Sequence, residues 1–258
     1  MRLRDKTILI TGSTTGIGEA IARRAVAEGA QVLIHGRDEK RGRALLAELG
    51  DRAALHVDDI ADPAASKRMV DAAIRAFGKL DALVNNAASV ERSNLSNTTV
   101  EQFDKIMAIN VRAPMLLIQA SVEHLKKTKG AVLNIGSVNG YCGEANLLAY
   151  SISKGGLMTL SRNLADALGR DGVRVNHFNV GWVLTPNEYH VKIADGLPPD
   201  WPERVTLTKA PSGRLIKPEE IAAAAVYWLG DESGPISGSV LELEQHPVIG
   251  RNPPKEVK

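Results

Sequence analysis

The stretch YSISK, Tyr150 to Lys154, sets a phenol and an ammonium four residues apart, one helical turn and on one face. Left alone, both groups titrate at about pH 10, so neither does acid–base work at neutral pH. Brought together, the lysine charge favours the phenolate and lowers the tyrosine pKa toward the working range. A phenol so tuned can give a proton to an alkoxide or take one from an alcohol. That is the proton half of a hydride transfer at a carbinol carbon. Read alone, Tyr150 and Lys154 are equally the polar side of an amphipathic helix, so the rest of the chain has to decide.

A second stretch, TGSTTGIG (Thr11 to Gly18), lies between the strand-like KTILIT and the helix-like GIGEAIARRAVAEG. Glycines at such a turn let backbone amides approach a pyrophosphate, and the helix N-terminus adds partial positive charge. The glycines Gly12, Gly16 and Gly18 follow a G-x-x-x-G-x-G spacing rather than the commoner G-x-G-x-x-G. Any tight strand-to-helix turn can use glycines, but this one sits at the first turn of an alternating β/α chain. Ser13, Thr14, Thr15 and Ile17 complete the expected phosphate loop. The end of the second strand reads IHGRDEKR, with Gly36 where an acid would hold the 2′-hydroxyl of NAD and Arg37 next to it. Arginine there accommodates a 2′-phosphate, so NADP(H) is favoured and NAD(H) stays possible. Arg37 also reads as the exposed first residue of a helix.

Elements positioning these groups alternate from the start. Strands are expected at 6–11, 30–36, 53–58, 79–87, 130–137, 173–180 and 238–244. Helices are expected between them, including one with Asp62 as N-cap, Pro63 in its first turn and Gly78 past its end. A helical pair should cover 99–127, a helix 149–170, and an irregular Pro/Trp-rich stretch 181–217. This pattern predicts an α/β fold with a parallel sheet covered by helices on both faces. One domain spans 1–245, followed by an irregular tail over 246–258 that carries Pro247, Pro253 and Pro254.

The bulk numbers agree. The chain has 258 residues, 44% hydrophobic and 24% charged, with net charge +2. That is an ordinary globular mixture without the basic footprint of a nucleic-acid or membrane binder. Cys142 is the single cysteine, which excludes an intrachain disulfide and reads as a small structural residue. No apolar run reaches the roughly 18 residues of a membrane span, and the N-terminus reads as a first strand rather than a signal peptide. A cytoplasmic location is expected. The histidines, His190 among them, lack metal-ligand spacing, so no catalytic metal is expected.

The marks TGSTTGIG, NNAA (85–88), IN (109–110), IGS (135–137) and YSISK, in this order, resemble the short-chain dehydrogenase/reductase (SDR) family across nearly the whole chain. The resemblance implies a single-domain Rossmann-type doubly wound seven-stranded parallel sheet and a nicotinamide cofactor. It also implies a catalytic tetrad of Asn110, Ser137, Tyr150 and Lys154. Ser137 would hydrogen-bond the substrate oxygen and steady developing charge. Lys154 would also hold the nicotinamide ribose, and Asn110 would keep a water as a proton path. By the same likeness Asp59 and Ile60 would meet the adenine, Asn86 and Ala87 would border the cofactor cleft, and Val183 and Thr185 would meet the carboxamide.

The chain departs from the family pattern at three places. Val180 stands where proline usually precedes Gly181, which should loosen the turn carrying Val183 and Thr185. Ala88 replaces a usual glycine, and LELEQHPVIGRNPPKEVK replaces the usual ending. Gln245 to Pro254 is expected to pack on a neighbouring subunit or near its active site. The substrate pocket implied beside the tetrad offers Ser137, Asn139, Cys142, Glu144, Asn146, Trp182, Tyr189 and His190. Several of these are polar, which favours a small polar substrate such as a polyol, ketose or sugar acid. A 3-ketoacyl thioester reductase is the alternative within the family, and a non-catalytic NADP-sensing regulator the alternative outside enzymes. The expected assembly is a homotetramer, or a dimer, without nucleic-acid or membrane partners.

Overall fold

The β-branched and aliphatic runs form seven strands: β1 Thr7–Ile10, β2 Gln31–Gly36, β3 Ala53–Val57, β4 Ala82–Asn85, β5 Ala131–Ile135, β6 Arg174–Val180 and β7 Val240–Leu243. In this computed structural model, which describes residues 1–249, they make one sheet in the order β3-β2-β1-β4-β5-β6-β7. Every pairing is parallel. The helices are α1 Gly16–Ala27, α2 Glu39–Leu49, α3 Ala65–Phe77, α4 Val100–Met107, α5 Ala113–Thr128, a short α6 Asn139–Cys142, α7 Leu148–Leu168, α8 Pro186–Ala194 and α9 Pro218–Leu229. The doubly wound seven-stranded fold expected from the sequence is the one observed.

Alternation along the strands sorts the core into two layers. Ile8, Ile10, Val32, Ile34, Val84, Leu133 and Phe178 face α1 and α9, where Ala22, Ala25, Ala222 and Ala225 keep the two helices small-sided. Leu9, Leu33, Leu83, Val132 and Val175 face the other way, against Met69 and Val70 of α3 and Leu117, Ile118 and Leu125 of α5. Each such buried aliphatic side chain contributes about 1.5–3 kcal/mol of transfer free energy. Parallel strands with both faces covered leave the carboxyl ends as the open edge. Strand order reverses between β1 and β4, and the loops leaving those two strands diverge there, opening a crevice.

Three boundaries differ from expectation. Helix α3 starts at Ala65, not at Pro63: Asp62 Oδ1 accepts the Ala64 N–H at 3.0 Å and its carbonyl accepts the Ala65 N–H at 3.0 Å, so Asp62–Ala64 form a tight turn before the helix. Gly78 does close it, in the left-handed conformation at φ +78°. The expected helical pair over 99–127 is one continuous rod, with α4 and α5 joined by a π-helical turn at Ala108–Arg112. The stretch 181–217 is not wholly irregular: Thr185 Oγ1 accepts the Glu188 N–H at 3.1 Å and caps α8. That segment also has its own apolar cluster of Trp201, Ala210 and Leu215 with Trp182, Leu184 and Tyr189.

Residues 245–249 carry no regular structure. Gln245 binds its own chain, accepting from Ser212 N–H at 3.0 Å and donating to the Arg214 carbonyl at 2.7 Å. The remainder of the expected tail, 250–258, lies outside the described residues.

Candidate active site

The phosphate loop is built by glycines that nothing else could replace. Gly12 and Gly16 have φ of +62° and +61°, a region L side chains rarely adopt. A Cβ on Gly12 would lie 2.9 Å from Ala87 Cα, and one on Gly18 would lie 2.4 Å from Asn86 Nδ2. Thr11 Oγ1 accepts the Asn86 and Ala87 N–H groups, each at 3.0 Å, while Asn86 Nδ2 donates to the Thr11 and Gly12 carbonyls at 2.9 and 3.0 Å. Asn86 and Ala87 therefore hold the loop in shape. Ser13 turns inward and donates to the Ile10 carbonyl at 2.8 Å. Thr15, at the N-cap of α1, makes no side-chain capping bond, so the first-turn amides keep their donors for a ligand.

Sequence reading missed His35. Its ring, 2% exposed, accepts the Gly12 N–H on Nδ1 at 3.3 Å and faces the Asp58 carbonyl with Nε2 at 3.2 Å. The signal was a histidine inside an otherwise aliphatic strand. Gly36 is packed against Thr14, whose Oγ1 would lie 2.5 Å from a Cβ there. Arg37 is exposed and makes no ion pair or hydrogen bond among the described residues. Asp59 accepts the Ala61 N–H at 3.0 Å, and Ile60 is buried in the core. Asp58 is the clamped carboxylate: Arg68 and His56 beside it hold its carboxyl far below the usual range.

The four expected tetrad residues come together at the ends of β5 and α7. Ser137, two residues past β5, has its hydroxyl near enough to the Tyr150 phenol to favour the phenolate and accepts the Asn139 N–H at 3.2 Å. Lys154 is 3% exposed, and its Nζ donates to the Ile135 carbonyl at 2.8 Å and lies 5.6 Å from the Tyr150 ring centre. Burial pushes the Lys154 ammonium down to about 8. Asn110 sits in the π-helical turn, a feature frequent at functional sites. Its side chain is fully used, accepting the Ser89 N–H at 2.8 Å and donating to the Ser89 carbonyl and to Ser153 Oγ, each at 2.9 Å. Asn110 thereby pins the chain after β4 to α7, the helix carrying Tyr150.

The expected depression of the tyrosine pKa is not found in the chain alone. Burial pushes the Tyr150 phenol up to about 12, opposed by the nearby Ser137 hydroxyl and reinforced by the charges of Glu188 and Glu144. Desolvation dominates, so the chain alone holds the Tyr150 phenol protonated at neutral pH. Losing that proton requires further positive charge near the phenol.

The turn after β6 is not loosened by Val180. Gly181 N–H donates to the Leu243 carbonyl at 2.9 Å and Trp182 N–H to Glu244 Oε2 at 3.0 Å. Val183 is buried and bridges Ile216, while the Thr185 methyl would lie 3.3 Å from a Cβ on Gly16. Of the two expected carboxamide contacts, Thr185 thus lies against the phosphate loop, at Gly16. Of the expected substrate residues, Asn139 donates to Glu144 at 3.1 Å. A cleft of about 400 Å³ is lined by Glu144 and Asn146 together with Arg92, Ser93, Lys192 and Asp195. Trp182 and Tyr189 belong instead to the loop's own stack, with Trp182 5.6 Å and Tyr189 6.3 Å from Trp201 between ring centres. Cys142 and His190 are exposed. Among the described residues no group of three or more His, Cys, Asp or Glu is arranged to hold a metal ion, and no helix is long and apolar enough to cross a membrane.

These residues fit a nicotinamide dinucleotide. The crevice floor at Gly12, Gly18 and Gly36 is cleared of side chains, α1 presents uncapped amides, and Lys154 and Tyr150 stand at the far end. When bound, the cofactor supplies or accepts the hydride and, in its oxidised form, brings positive charge. In the roles that the family resemblance implies, Tyr150 would supply the proton, Ser137 would hold the reacting oxygen, and Lys154 would orient the ribose end.

A doubly wound sheet with this loop and this tetrad defines a nicotinamide-dependent oxidoreductase. A family model described as enoyl-(acyl carrier protein) reductase matches residues 12–244. An uncharacterized oxidoreductase of Thermotoga maritima is 36% identical over 95% of this chain and 98% of its own length. L-fucose dehydrogenase of Mus musculus is 34% identical over 88% and 82%. The crystal structure of 3-ketoacyl-(acyl-carrier-protein) reductase from Brucella melitensis, complexed with NADH, superposes with a TM-score of 0.83 at 31% identity, covering 93% of this chain and 97% of that one. The chain belongs to the short-chain dehydrogenase/reductase family.

Proposed function

We propose that the protein interconverts a secondary alcohol and a ketone on a small polar substrate, a polyol, ketose or sugar acid, with NADP(H) as the preferred cofactor. The observation that carries the substrate class is a cleft whose lining is polar or charged throughout, Arg92, Ser93, Asn94, Glu144, Asn146 and Asp195 among it, and whose Glu144 is one of the carboxylates acting on the Tyr150 phenol. Such a surface offers donors and acceptors to several hydroxyl groups and little for an apolar body. The L-fucose dehydrogenase likeness supports the same reading. Support for NADP(H) comes from the end of β2. Gly36 packs on Thr14 and brings no carboxylate, and Arg37 beside it is exposed and unpaired among the described residues.

In the reducing direction Tyr150 protonates the alkoxide that hydride delivery leaves, with Ser137 steadying the oxygen. In the oxidising direction Tyr150 must first lose its proton. The positively charged nicotinamide and Lys154 together make that loss easier. The likeness to a 3-ketoacyl-(acyl-carrier-protein) reductase favours a 3-ketoacyl thioester as second reading. A purely cofactor-sensing role is disfavoured because the full tetrad is in place. We further propose a homotetramer in the cytoplasm, with Met115 on α5 and Ile152 on α7 as exposed apolar side chains available for assembly.

The test is a screen of polyols, sugars, sugar acids and 3-ketoacyl thioesters with NADP and NAD in parallel, read as absorbance of reduced nicotinamide. Turnover of hydroxylated compounds, faster with NADP, supports the proposal. Turnover confined to ketoacyl thioesters moves it to the second reading, and retained turnover in Tyr150→Phe overturns the mechanism.

A further inference from the structure

His35 is the residue that joins the two halves of the cofactor crevice. It lies in β2, paired in register with His56 of β3. Its backbone is tied to the phosphate loop twice: His35 N–H donates to Ser13 Oγ at 2.9 Å, and Ser13 N–H donates to the His35 carbonyl at 2.8 Å. The ring adds the two bonds described above, to Gly12 on one side and to the Asp58 carbonyl on the other. The Gly12 N–H can only donate, so Nδ1 is the unprotonated nitrogen. The proton therefore sits on Nε2 and is donated to Asp58. Each nitrogen fixes the role of the other, and the ring must be neutral.

The far anchor is itself rigid. Asp58 carboxylate oxygens take Arg68 at 2.8 and 2.9 Å and His56 at 3.1 Å, and Asp58 Oδ1 accepts the Asp59 N–H at 2.9 Å. From Arg68 to Gly12, then, one chain of bonds runs from α3 through the segment after β3 to the first glycine of the phosphate turn. The crevice floor has few other ties of this kind: Gly36 has no side chain, and Arg37 points to solvent unpaired among the described residues.

We infer that His35 is a positioning residue for the dinucleotide: bridging Gly12 and Asp58, it sets the phosphate turn against the segment after β3 and so governs cofactor affinity rather than the hydride step. The inference rests on the reading of this crevice as a nicotinamide dinucleotide site. His35 touches neither the tetrad nor the polar cleft. Removing it should relax the turn and leave Tyr150, Ser137 and Lys154 where they are.

The test uses the full chain and three variants, His35→Ala, His35→Asn and His35→Gln. An asparagine amide can occupy the place of Nδ1 and keep a partner for Gly12, whereas a glutamine amide reaches the place of Nε2 and Asp58. NADPH and NADH dissociation constants are measured by fluorescence titration, and amide exchange at Gly12–Thr15 is followed without cofactor. The expected result is about a tenfold weaker cofactor complex for His35→Ala, the equivalent of one net hydrogen bond. Asparagine should recover part of it, and kcat at saturating cofactor should change far less than KM for the cofactor. Faster exchange at Gly12 in His35→Ala and glutamine, but not in asparagine, supports the role even where alanine lowers the melting temperature. A dissociation constant within twofold of wild type in all three variants overturns it, as does a kcat loss matching the affinity loss. Wild-type protein that binds neither dinucleotide overturns the site reading as well.

Discussion

Lowering the pH from 7 to 5 should destabilise this protein through two buried histidines. His35 lies under the phosphate loop. His177, fully buried, sits with Nδ1 3.0 Å from Ser161 Oγ and Nε2 2.9 Å from Asn179 Oδ1. Burial lowers each ring from the ordinary 6.5 to about 4. Hydrogen bonds to Asp58 and Asn179 oppose the shift, while Lys154 and Arg162 add to it at His177. As pH falls below 6.5 the unfolded chain takes up both protons and the folded chain does not until about 4. Stability is thus complete above 6.5 and is lost progressively down to about 4. At about 1.4 kcal/mol per pKa unit, the loss between pH 7 and 5 is about 2 kcal/mol for each ring and about 4 for the pair. Net stabilities of domains are about 5–15 kcal/mol, so this is a large share. Urea melts at pH 7, 6 and 5 measure it as a shift in midpoint at constant slope. His35→Asn and His177→Asn should each be less stable at pH 7 yet lose about 2 kcal/mol less on acidification. A wild type that loses under about 1 kcal/mol by pH 5, or a double variant with the wild-type loss, refutes the reasoning.

Other predictions follow from the same geometry. Tyr150→Phe should lower kcat by about 10²- to 10⁴-fold, the usual reach of general acid–base catalysis, with NADPH affinity retained in a fluorescence titration. Because Lys154 is held down to about 8, its charge is lost as pH rises through that value. The pH profile of kcat/KM should therefore fall on its alkaline side at about 8, and Lys154→Arg should move that limb upward. Gly12→Ala meets both a φ of +62° and Ala87 Cα at 2.9 Å; it should lower the melting temperature and abolish cofactor binding. Deleting residues 246–258 removes the contact of Val248 N–H with Glu242 Oε2 at 3.2 Å. Sedimentation should then report a smaller assembly, and an unchanged one would show that the tail has no part in it.

Much of the site was legible because its signals are local. The i,i+4 spacing of Tyr150 and Lys154 is a property of any helix, and the glycines of 12–18 report a turn the backbone must make. Strand and helix periodicities, two and 3.6 residues, sort the core without knowledge of what it packs against. Boundaries at Asp62–Ala65, the π-helical turn at Asn110 and helix α8 inside the Pro/Trp-rich stretch were not legible. Each depends on which carbonyl a given N–H finds, and at Asn110 the partners Ser89 and Ser153 come from distant segments.

The sequence by itself determined the order of elements, the glycine turn after the first strand and, through its family marks, the reaction class. Tertiary structure alone decided how the site's groups behave. Sheet register set His35 beneath Gly12 and against Asp58, 23 residues away. Packing drew Trp182 into a stack on Trp201 and left Arg92, Glu144 and Asp195 to line the cleft. Burial raised the Tyr150 phenol and lowered the Lys154 ammonium. The reason is physical: propensity and spacing act over a few residues of chain, whereas desolvation and hydrogen-bond partnership depend on everything that folds around a group.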